Sequence, residues 1–342
     1  MADLAEPEEL GFLSIWGLVK ESVKVFRSHT KLFIALTLTL ILPLCVVGLG
    51  HSLITEPILN RISWDQFQLA FGRPDPRREQ RIDQDLHTEL SKLFLVLMIY
   101  LLALFAFSLL STSAIVYSVA CIYSEKMTSY KKVLRVVPRV WKRLIVTFIW
   151  AFLLMFGYGV LCLAVIFIVA IMVAFISQGS SDFMINVVSW GGMVGFLAGV
   201  MYLSCVWHLA SVVTVLEEGY GLGAMRKSLK LIKGKQLVAF CLFFMYSVIA
   251  FMIGVGFGLW VAHGSVNGVH RVAWKVAIGC TLIVMLSFVD LMGFLLQTVF
   301  YFACKAYHHE SIDRLQLSEH LGAYLGEYVP LRGSIQLESF EA

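Results

Sequence analysis

Six stretches of this chain are apolar over about the length that a membrane-spanning helix needs. A helix that crosses the hydrocarbon core of a bilayer contains about 20 predominantly apolar residues. The stretches run approximately over residues 32–49, 93–123, 144–176, 187–216, 237–261 and 276–304. The sequence therefore predicts an all-α polytopic membrane protein with six transmembrane helices.

The composition leaves little polar sequence for a separate soluble domain. Mean hydropathy is +0.80 and 15% of the residues are charged, against about 25% in soluble domains. We expect a cytoplasmic N-terminus over 1–31 that includes an amphipathic helix, a membrane domain over 32–304 and a cytoplasmic tail over 305–342. The largest hydrophilic segment within the membrane domain is 50–92, which we expect to be a non-cytoplasmic loop.

The distribution of Lys and Arg predicts the orientation. Short segments rich in these residues stay in the cytoplasm, and the segments 128–143 and 220–235 are strongly basic. With an even number of spans, both termini are then cytoplasmic. We expect the protein in the endomembrane system (endoplasmic reticulum) or the plasma membrane.

Three basic segments share one pattern. Residues 19–27 read VKESVKVFR, 130–138 read YKKVLRVVP and 225–233 read MRKSLKLIK. Apolar residues fall at the first, fifth and eighth positions, which is one face of a helix, and cations mostly follow one position later. The pattern predicts three pseudo-repeats of a basic interfacial helix plus a helical hairpin. The alternative is that these segments are the polar starts of long spans that obey the positive-inside rule.

The cations of these segments are candidate ligands for lipid headgroups, because a helix in the headgroup plane places cations at the edge of its apolar stripe. We expect Pro138 to kink or end the middle segment. The candidate headgroup ligands are Lys20, Lys24, Arg27, Lys131, Arg135, Arg226, Lys230 and Lys233.

Small residues predict where helices approach closely, because close backbone packing drives association in lipid. The fourth span has Gly191, Gly195 and Gly199 at four-residue steps, and the fifth has Gly254 and Gly258, with Gly256 between them. We interpret these glycines as crossings within the bundle. The alternative is a face for a homo-oligomer or for a membrane protein partner.

Asp290 lies near the middle of the sixth span, where a charged side chain is costly and suggests function. Gln297 lies at a helix-compatible offset from it, and His208 of the fourth span should lie at the depth of Gln297. These three residues form a candidate intramembrane polar site. One interpretation is a proton- or cation-coupled site that uses Asp290, and the other is a hydrogen-bonded aspartate that joins neighbouring helices.

No sequence motif indicates a metal, a cofactor or catalysis. His308 and His309 are adjacent, so on a helix they point about 100° apart and cannot readily share an ion with Glu310 and Asp313. We interpret this cluster as a polar collar, and His263 and His270 as loop residues. The chain has no zincin, P-loop or G-x-S-x-G motif, so we expect no enzyme, no metal and no cofactor.

Three segments resemble a known family. Residues 221–235 read GLGAMRKSLKLIKGK, 299–312 read VFYFACKAYHHESI and 321–331 read LGAYLGEYVPL. They resemble uncharacterised six-span membrane proteins of plants and, more distantly, the membrane domain of some bacterial glycerophosphodiester phosphodiesterases. The resemblance covers nearly the whole chain. It implies no catalytic residues, and the chain lacks the phosphodiesterase barrel.

We therefore expect a non-enzymatic membrane scaffold. Its basic helices would bind anionic lipids of the cytoplasmic leaflet and organise lipid or a partner protein, and we expect no nucleic acid partner. The alternative is a transporter or carrier of a small or lipidic solute, with Asp290 in the pathway.

Overall fold

The computed structural model describes residues 9–72, 75–125, 129–176, 182–262 and 269–310. Within these ranges the chain is almost entirely helical, and six helices are long and apolar enough to cross a membrane. This confirms the predicted all-α polytopic architecture. His263, Asp313 and the segment 321–331 lie outside the described residues.

A short 3-10 turn, Glu9–Phe12, precedes the first helix. A π-helical turn, Thr37–Ile41, joins α2 to α3 without a break, and a second one, Gly258–Ala262, extends α8. The helices are α1 (Ile15–Ser28), α2 (Thr30–Leu36), α3 (Leu42–Phe71), α4 (Pro76–Tyr123), α5 (Tyr130–Ile176), α6 (Asp182–Leu216), α7 (Leu222–Ile232), α8 (Gln236–Phe257) and α9 (Val269–Tyr307).

The predicted loop 50–92 is mostly helical. Helix α3 continues to Phe71 and α4 begins at Pro76, so the two spans extend into an antiparallel hairpin. Ile62 and Ile82 are buried in it. Glu89 lies 3.6 Å from Arg61 across the hairpin and 3.0 Å from Lys92 on its own helix. Similarly, His270, which we expected in a loop, lies within α9.

The hydrophobic core lies at one end of the bundle. Its buried side chains lie near the helix ends that meet the basic segments. Five of them are at most 2% exposed: Ile115, Leu144, Val212, Leu231 and Phe302. We call this part of the bundle the basic end. Farther along α5 large apolar side chains are exposed, as lipid contact requires: Phe152, Phe156 and Phe167.

Two of the three basic segments form separate helices. Helix α1 stops at His29, whose φ is −133°, and α7 stops before Gly234, whose φ of +91° favours glycine. The middle segment instead continues into the third span as one 47-residue helix, α5. Pro138 lies inside α5 and does not end it. Gly234 accounts for the break after α7, but no glycine directly follows either the first or the middle segment, so glycine does not distinguish these two.

The three segments bury equivalent positions. The fourth position of each segment is at most 1% exposed, at Ser22, Val133 and Ser228, and so is buried against the bundle. The seventh position is also buried in all three segments, at Val25, Val136 and Leu231. Of the predicted positions, Val137, Met225 and Ile232 are buried. Val19 and Val23 are only half-buried and Leu229 is exposed, so the predicted face is correct in part and is displaced by about one residue elsewhere.

The displacement has a chemical cause. A serine counts as polar in a hydropathy pattern, but its hydroxyl can donate to a backbone carbonyl and be buried. Ser22 donates to Leu18 O of its own helix at 2.9 Å, and Ser228 donates to Val206 O of α6 at 2.7 Å.

The predicted glycine crossings are mostly wrong. A Cβ atom at Gly191, Gly195 or Gly254 would meet nothing within 4 Å, and the same holds at Gly256 and Gly258. The exception is Gly199, where a Cβ would overlap the ring of Tyr158 on α5. At Gly195 only the backbone meets α5, because Tyr158 Oη donates to Gly195 O at 3.1 Å. A Cβ at each of the remaining four glycines would meet no atom of the described residues within 4 Å.

Candidate functional site

A small cavity lies between α6, α8 and α9. Its volume is about 80 Å³, and its walls are mainly apolar, with Leu242, Phe243 and Phe294 among them. Polar side chains from all three helices also line it: His208, Tyr246, Asp290 and Gln297. We call this the polar cavity. It includes all three residues of the predicted intramembrane site.

Asp290 lies at one part of the polar cavity and accepts two hydrogen bonds. Tyr246 Oη of α8 donates to Oδ1 at 2.9 Å, and Cys45 Sγ of α3 donates to Oδ2 at 3.3 Å. Gly293, one turn further along α9, makes room for the Tyr246 ring, because a Cβ there would lie 2.9 Å from it. The aspartate therefore connects three helices.

His208 and Gln297 form the second polar part of the cavity. The His208 Nδ1 atom lies 3.0 Å from Gln297 Oε1, so the ring donates to the amide oxygen in the tautomer with Nδ1 protonated. The Gln297 Nε2 atom is buried and has no hydrogen-bond partner among the described residues. The structure thus brings His208 to Gln297, two helical turns from Asp290.

A second polar cluster lies at the basic end and is centred on Glu217, which follows α6. Lys227 Nζ lies 2.7 Å from Glu217 Oε2, and Tyr301 Oη donates to Oε1 at 2.6 Å. Lys305 lies 3.8 Å from Glu217, and Glu310 lies 3.4 Å from Lys227. We call these five residues the Glu217 cluster. It joins α6, α7 and α9.

The acidic members of the cluster shift the titration of Lys227. Burial alone would lower the pKa of this lysine, but hydrogen bonding and charge from Glu217 and Glu310 outweigh it and raise the pKa above its usual value. Lys235 behaves in the opposite way, because burial lowers its pKa. Its Nζ lies 5.6 Å from the centre of the Tyr307 ring.

Backbone contacts hold α7 against the bundle. Gly221 caps α7 with a φ of +61°, and its N–H donates to Thr147 Oγ1 of α5 at 2.8 Å. Arg143 donates to Glu217 O at 2.6 Å. At the other end of α7, His308 Nε2 lies 3.1 Å from Leu231 O and 2.9 Å from Lys233 O, so it donates to these carbonyls.

The histidine pair thus has a structural contact. His308 binds backbone carbonyls, and His309 adopts a left-handed conformation with φ of +54°. Within the described ranges, no group of three His, Cys, Asp or Glu side chains could hold a metal ion.

The candidate headgroup cations lie mainly on the outside. Lys24 is half-buried and pairs with Glu21 at 3.3 Å. The other seven are exposed: Lys20, Arg27, Lys131, Arg135, Arg226, Lys230 and Lys233. Each separate helix, α1 and α7, thus has a buried face against the bundle and cations on its outer face.

Sequence reasoning missed Cys45, Tyr246 and Glu217. Cys45 and Tyr246 lie 245 and 44 residues from Asp290 along the chain. Nothing in their local sequence distinguishes them from the other residues of the membrane-spanning helices. Glu217 carried a usable signal, because it directly follows an apolar span and precedes a run of cations.

The comparisons with known proteins concern the whole chain. A family model described as a domain of unknown function (DUF8558) matches residues 3–340. The chain belongs to this family. No curated protein and no solved structure matches it. The DUF8558 match includes the segments 221–235 and 299–310, which contact each other through the Lys227–Glu310 and His308–Leu231 pairs.

Proposed function

We propose that the protein is a non-enzymatic membrane scaffold that binds anionic lipids at the cytoplasmic leaflet. The exposed cations on the outer faces of α1 and α7 carry this proposal. Each Lys or Arg near an anionic membrane surface contributes about 1 kcal/mol of attraction. Because the buried faces fix both helices against the bundle, the cations are held in place for headgroups. The termini are cytoplasmic in this proposal, and the membrane is the endoplasmic reticulum or the plasma membrane.

The test removes three cations from α7. The variant carries Arg226→Gln, Lys230→Gln and Lys233→Gln, and its control carries Arg77→Gln, Arg78→Gln and Arg81→Gln in the exposed hairpin. Native mass spectrometry of protein from nanodiscs with phosphatidylserine would count retained anionic lipids. We expect a loss of about 3 kcal/mol, or about a hundredfold in affinity, for the α7 variant alone. Equal retention by both variants would contradict the proposal.

The scaffold proposal includes a protein partner. A Cβ atom at Gly191 or Gly195 would meet nothing within 4 Å among the described residues, although Tyr158 Oη donates to Gly195 O at 3.1 Å. Small residues favour close contact between helices in lipid. The face that carries these two glycines would hold a second copy or a partner helix. Gly195→Leu should then abolish the complex in native mass spectrometry without lowering the thermal midpoint of the monomer.

The second candidate is a carrier of a small or lipidic solute. The polar cavity favours it, because Asp290, His208 and Gln297 line one space within the membrane-spanning region. Asp290→Asn should abolish uptake into proteoliposomes while thermal unfolding remains cooperative. Thr281→Val serves as the control, because Thr281 lies on the same helix, is exposed and donates only to Ala277 O of its own helix.

A further inference from the structure

The polar cavity has two polar parts of different chemistry, the Asp290 carboxyl group and the His208–Gln297 pair. Asp290 and Gln297 are seven residues apart on α9, so their Cα atoms are separated by about 10 Å along the helix axis. Apolar side chains line the wall between and around them, including Phe294 and Phe300. A ligand that contacts both parts must therefore carry two polar groups and an apolar body.

Asp290 favours a cation. It accepts hydrogen bonds from a phenol, Tyr246, and a thiol, Cys45, and both are neutral donors. The cavity lining contains Asp290 and His208 as its titratable acid and base, and it includes no Lys or Arg among the described residues. A carboxylate in an apolar environment is stabilised by an opposite charge. The rings of Tyr246, which donates to Asp290, and of Phe243 also line the cavity, and aromatic faces attract a positive charge.

The side-chain N–H groups of Gln297 lack a hydrogen-bond acceptor among the described residues. The amide oxygen of this residue is occupied by His208, and its Nε2 atom is buried. A buried amide N–H without an acceptor is costly, so natural sites supply one. An oxygen of the ligand, such as an amide or ester carbonyl, would satisfy it.

We propose that the polar cavity binds an amphiphilic amine, with its ammonium group at Asp290 and a carbonyl oxygen at Gln297. The apolar chain of the ligand lies against the phenylalanine side chains of the wall. This inference deepens the carrier candidate and rests on its premise that the cavity holds a ligand. It adds the class of ligand, which the carrier candidate leaves open.

The experiment compares four probes in nanodiscs that contain the purified full-length chain. The first probe is a long-chain fatty acid amide of a short linear diamine. The second and third replace its terminal ammonium by a hydroxyl and by a carboxylate, and the fourth is an alkylamine of equal length without the carbonyl. Equilibrium binding is measured by native mass spectrometry. We expect the amide amine to bind at least tenfold more tightly than the hydroxyl and carboxylate probes.

Variants separate the two contacts. Asp290→Asn should lower the affinity for the amide amine at least tenfold and leave the hydroxyl probe unchanged. Gln297→Leu should remove the preference for the amide amine over the plain alkylamine. Thr281→Val should bind all probes as the natural chain does. If Asp290→Asn prevents folding, the Gln297→Leu variant still tests the inference.

The outcomes distinguish this inference from the carrier candidate. Equal affinity for the amine and hydroxyl probes would overturn the inference. A folded Asp290→Asn protein that binds the amide amine as tightly as the natural chain would also overturn it. Amine binding without uptake into proteoliposomes supports the inference and contradicts the carrier. Uptake of another solute that depends on Asp290, without amine binding, supports the carrier and overturns the inference.

Discussion

Glu217 joins three helices through its side chain, so its charge should matter to stability. Hydrogen bonds to charged groups contribute about 1.5–3 kcal/mol, and Glu217→Gln keeps an acceptor for Tyr301 while removing the charge that faces Lys227 and Lys305. We expect the free energy of unfolding to fall by about 1–3 kcal/mol. The measurement is thermal unfolding in detergent.

Glu218 provides the control for this prediction. It is the next residue in the chain, carries the same charge and is exposed. Surface substitutions of this kind usually change stability by about 0.5 kcal/mol or less. An equal loss in Glu218→Gln and Glu217→Gln would contradict a specific role for the cluster.

The raised pKa of Lys227 predicts a dependence on alkaline pH. A lysine whose folded pKa exceeds its unfolded pKa contributes stability that is fully present below the unfolded value, about 10.4. That contribution is lost as pH rises through the higher folded value. The difference in thermal midpoint between the natural chain and Lys227→Met should therefore be constant up to about pH 9 and shrink above about 10.4.

Lys230→Met is the matched variant for this experiment. Lys230 lies on the same helix but is exposed, so its effect on the midpoint should not change over that pH range. A Lys227→Met difference that stays constant into strongly alkaline solution would show that the carboxylates do not stabilise the lysine cation.

Sequence reasoning at the residue scale succeeded where a side chain is unusual for its surroundings. Asp290, Gln297 and His208 stand out because polar groups are costly among apolar residues, and the structure places all three around one cavity. Tyr246 and Cys45 could not be found in this way. Their role depends on contacts between distant helices, which a local pattern does not contain.

At the scale of elements, the equivalent serines of α1 and α7 give a paired prediction. Ser228 donates to α6, whereas Ser22 donates within its own helix. Ser228→Ala should cost about 1 kcal/mol and increase hydrogen exchange in α7, because it removes a contact between helices. Ser22→Ala should have a smaller effect in α1. Similar exchange in both variants would contradict the role of this hydrogen bond in docking α7.

The elements also show where pattern reading fails. The helical periodicity of the basic segments was correct, but it did not show that the middle one is part of α5. Gly234 marks the end of the third segment, but no glycine directly follows the first or the second, so the sequence did not show which of these two continues into its span. Segment 50–92 was predicted as a loop because it is polar. The strong breakers at its turn are Gly72, Pro74 and Pro76, and two helices occupy most of the rest.

For the whole molecule, the connectivity predicts opposite sides for two exposed positions. Gln80 lies in the hairpin beyond the first two spans, and Ser129 lies at the basic end before α5. In sealed vesicles with the cytoplasmic face outward, a membrane-impermeant maleimide should label Ser129→Cys and leave Gln80→Cys unlabelled until the vesicles are opened. The natural chain, which has seven cysteines, is the control for background labelling. The reverse pattern would invert the proposed orientation.

The number of spans was readable from the whole sequence because the bilayer sets a minimum apolar length. The position of the core was not readable. Apolar side chains that face lipid and those that face protein have the same composition, so Phe152 and Phe302 look alike in the sequence although one is exposed and the other is buried.

The 3-10 turn at the start of the described chain packs against the end of the last helix. Leu10 is fully buried, and a Cβ at Gly11 would lie 3.1–3.3 Å from Ala306 and Tyr307. The contact therefore joins the first described turn of the chain to the end of the last described helix. This contact can form only after every helix between the two has been made, and a bundle that lacks the end of α9 would leave Leu10 uncovered.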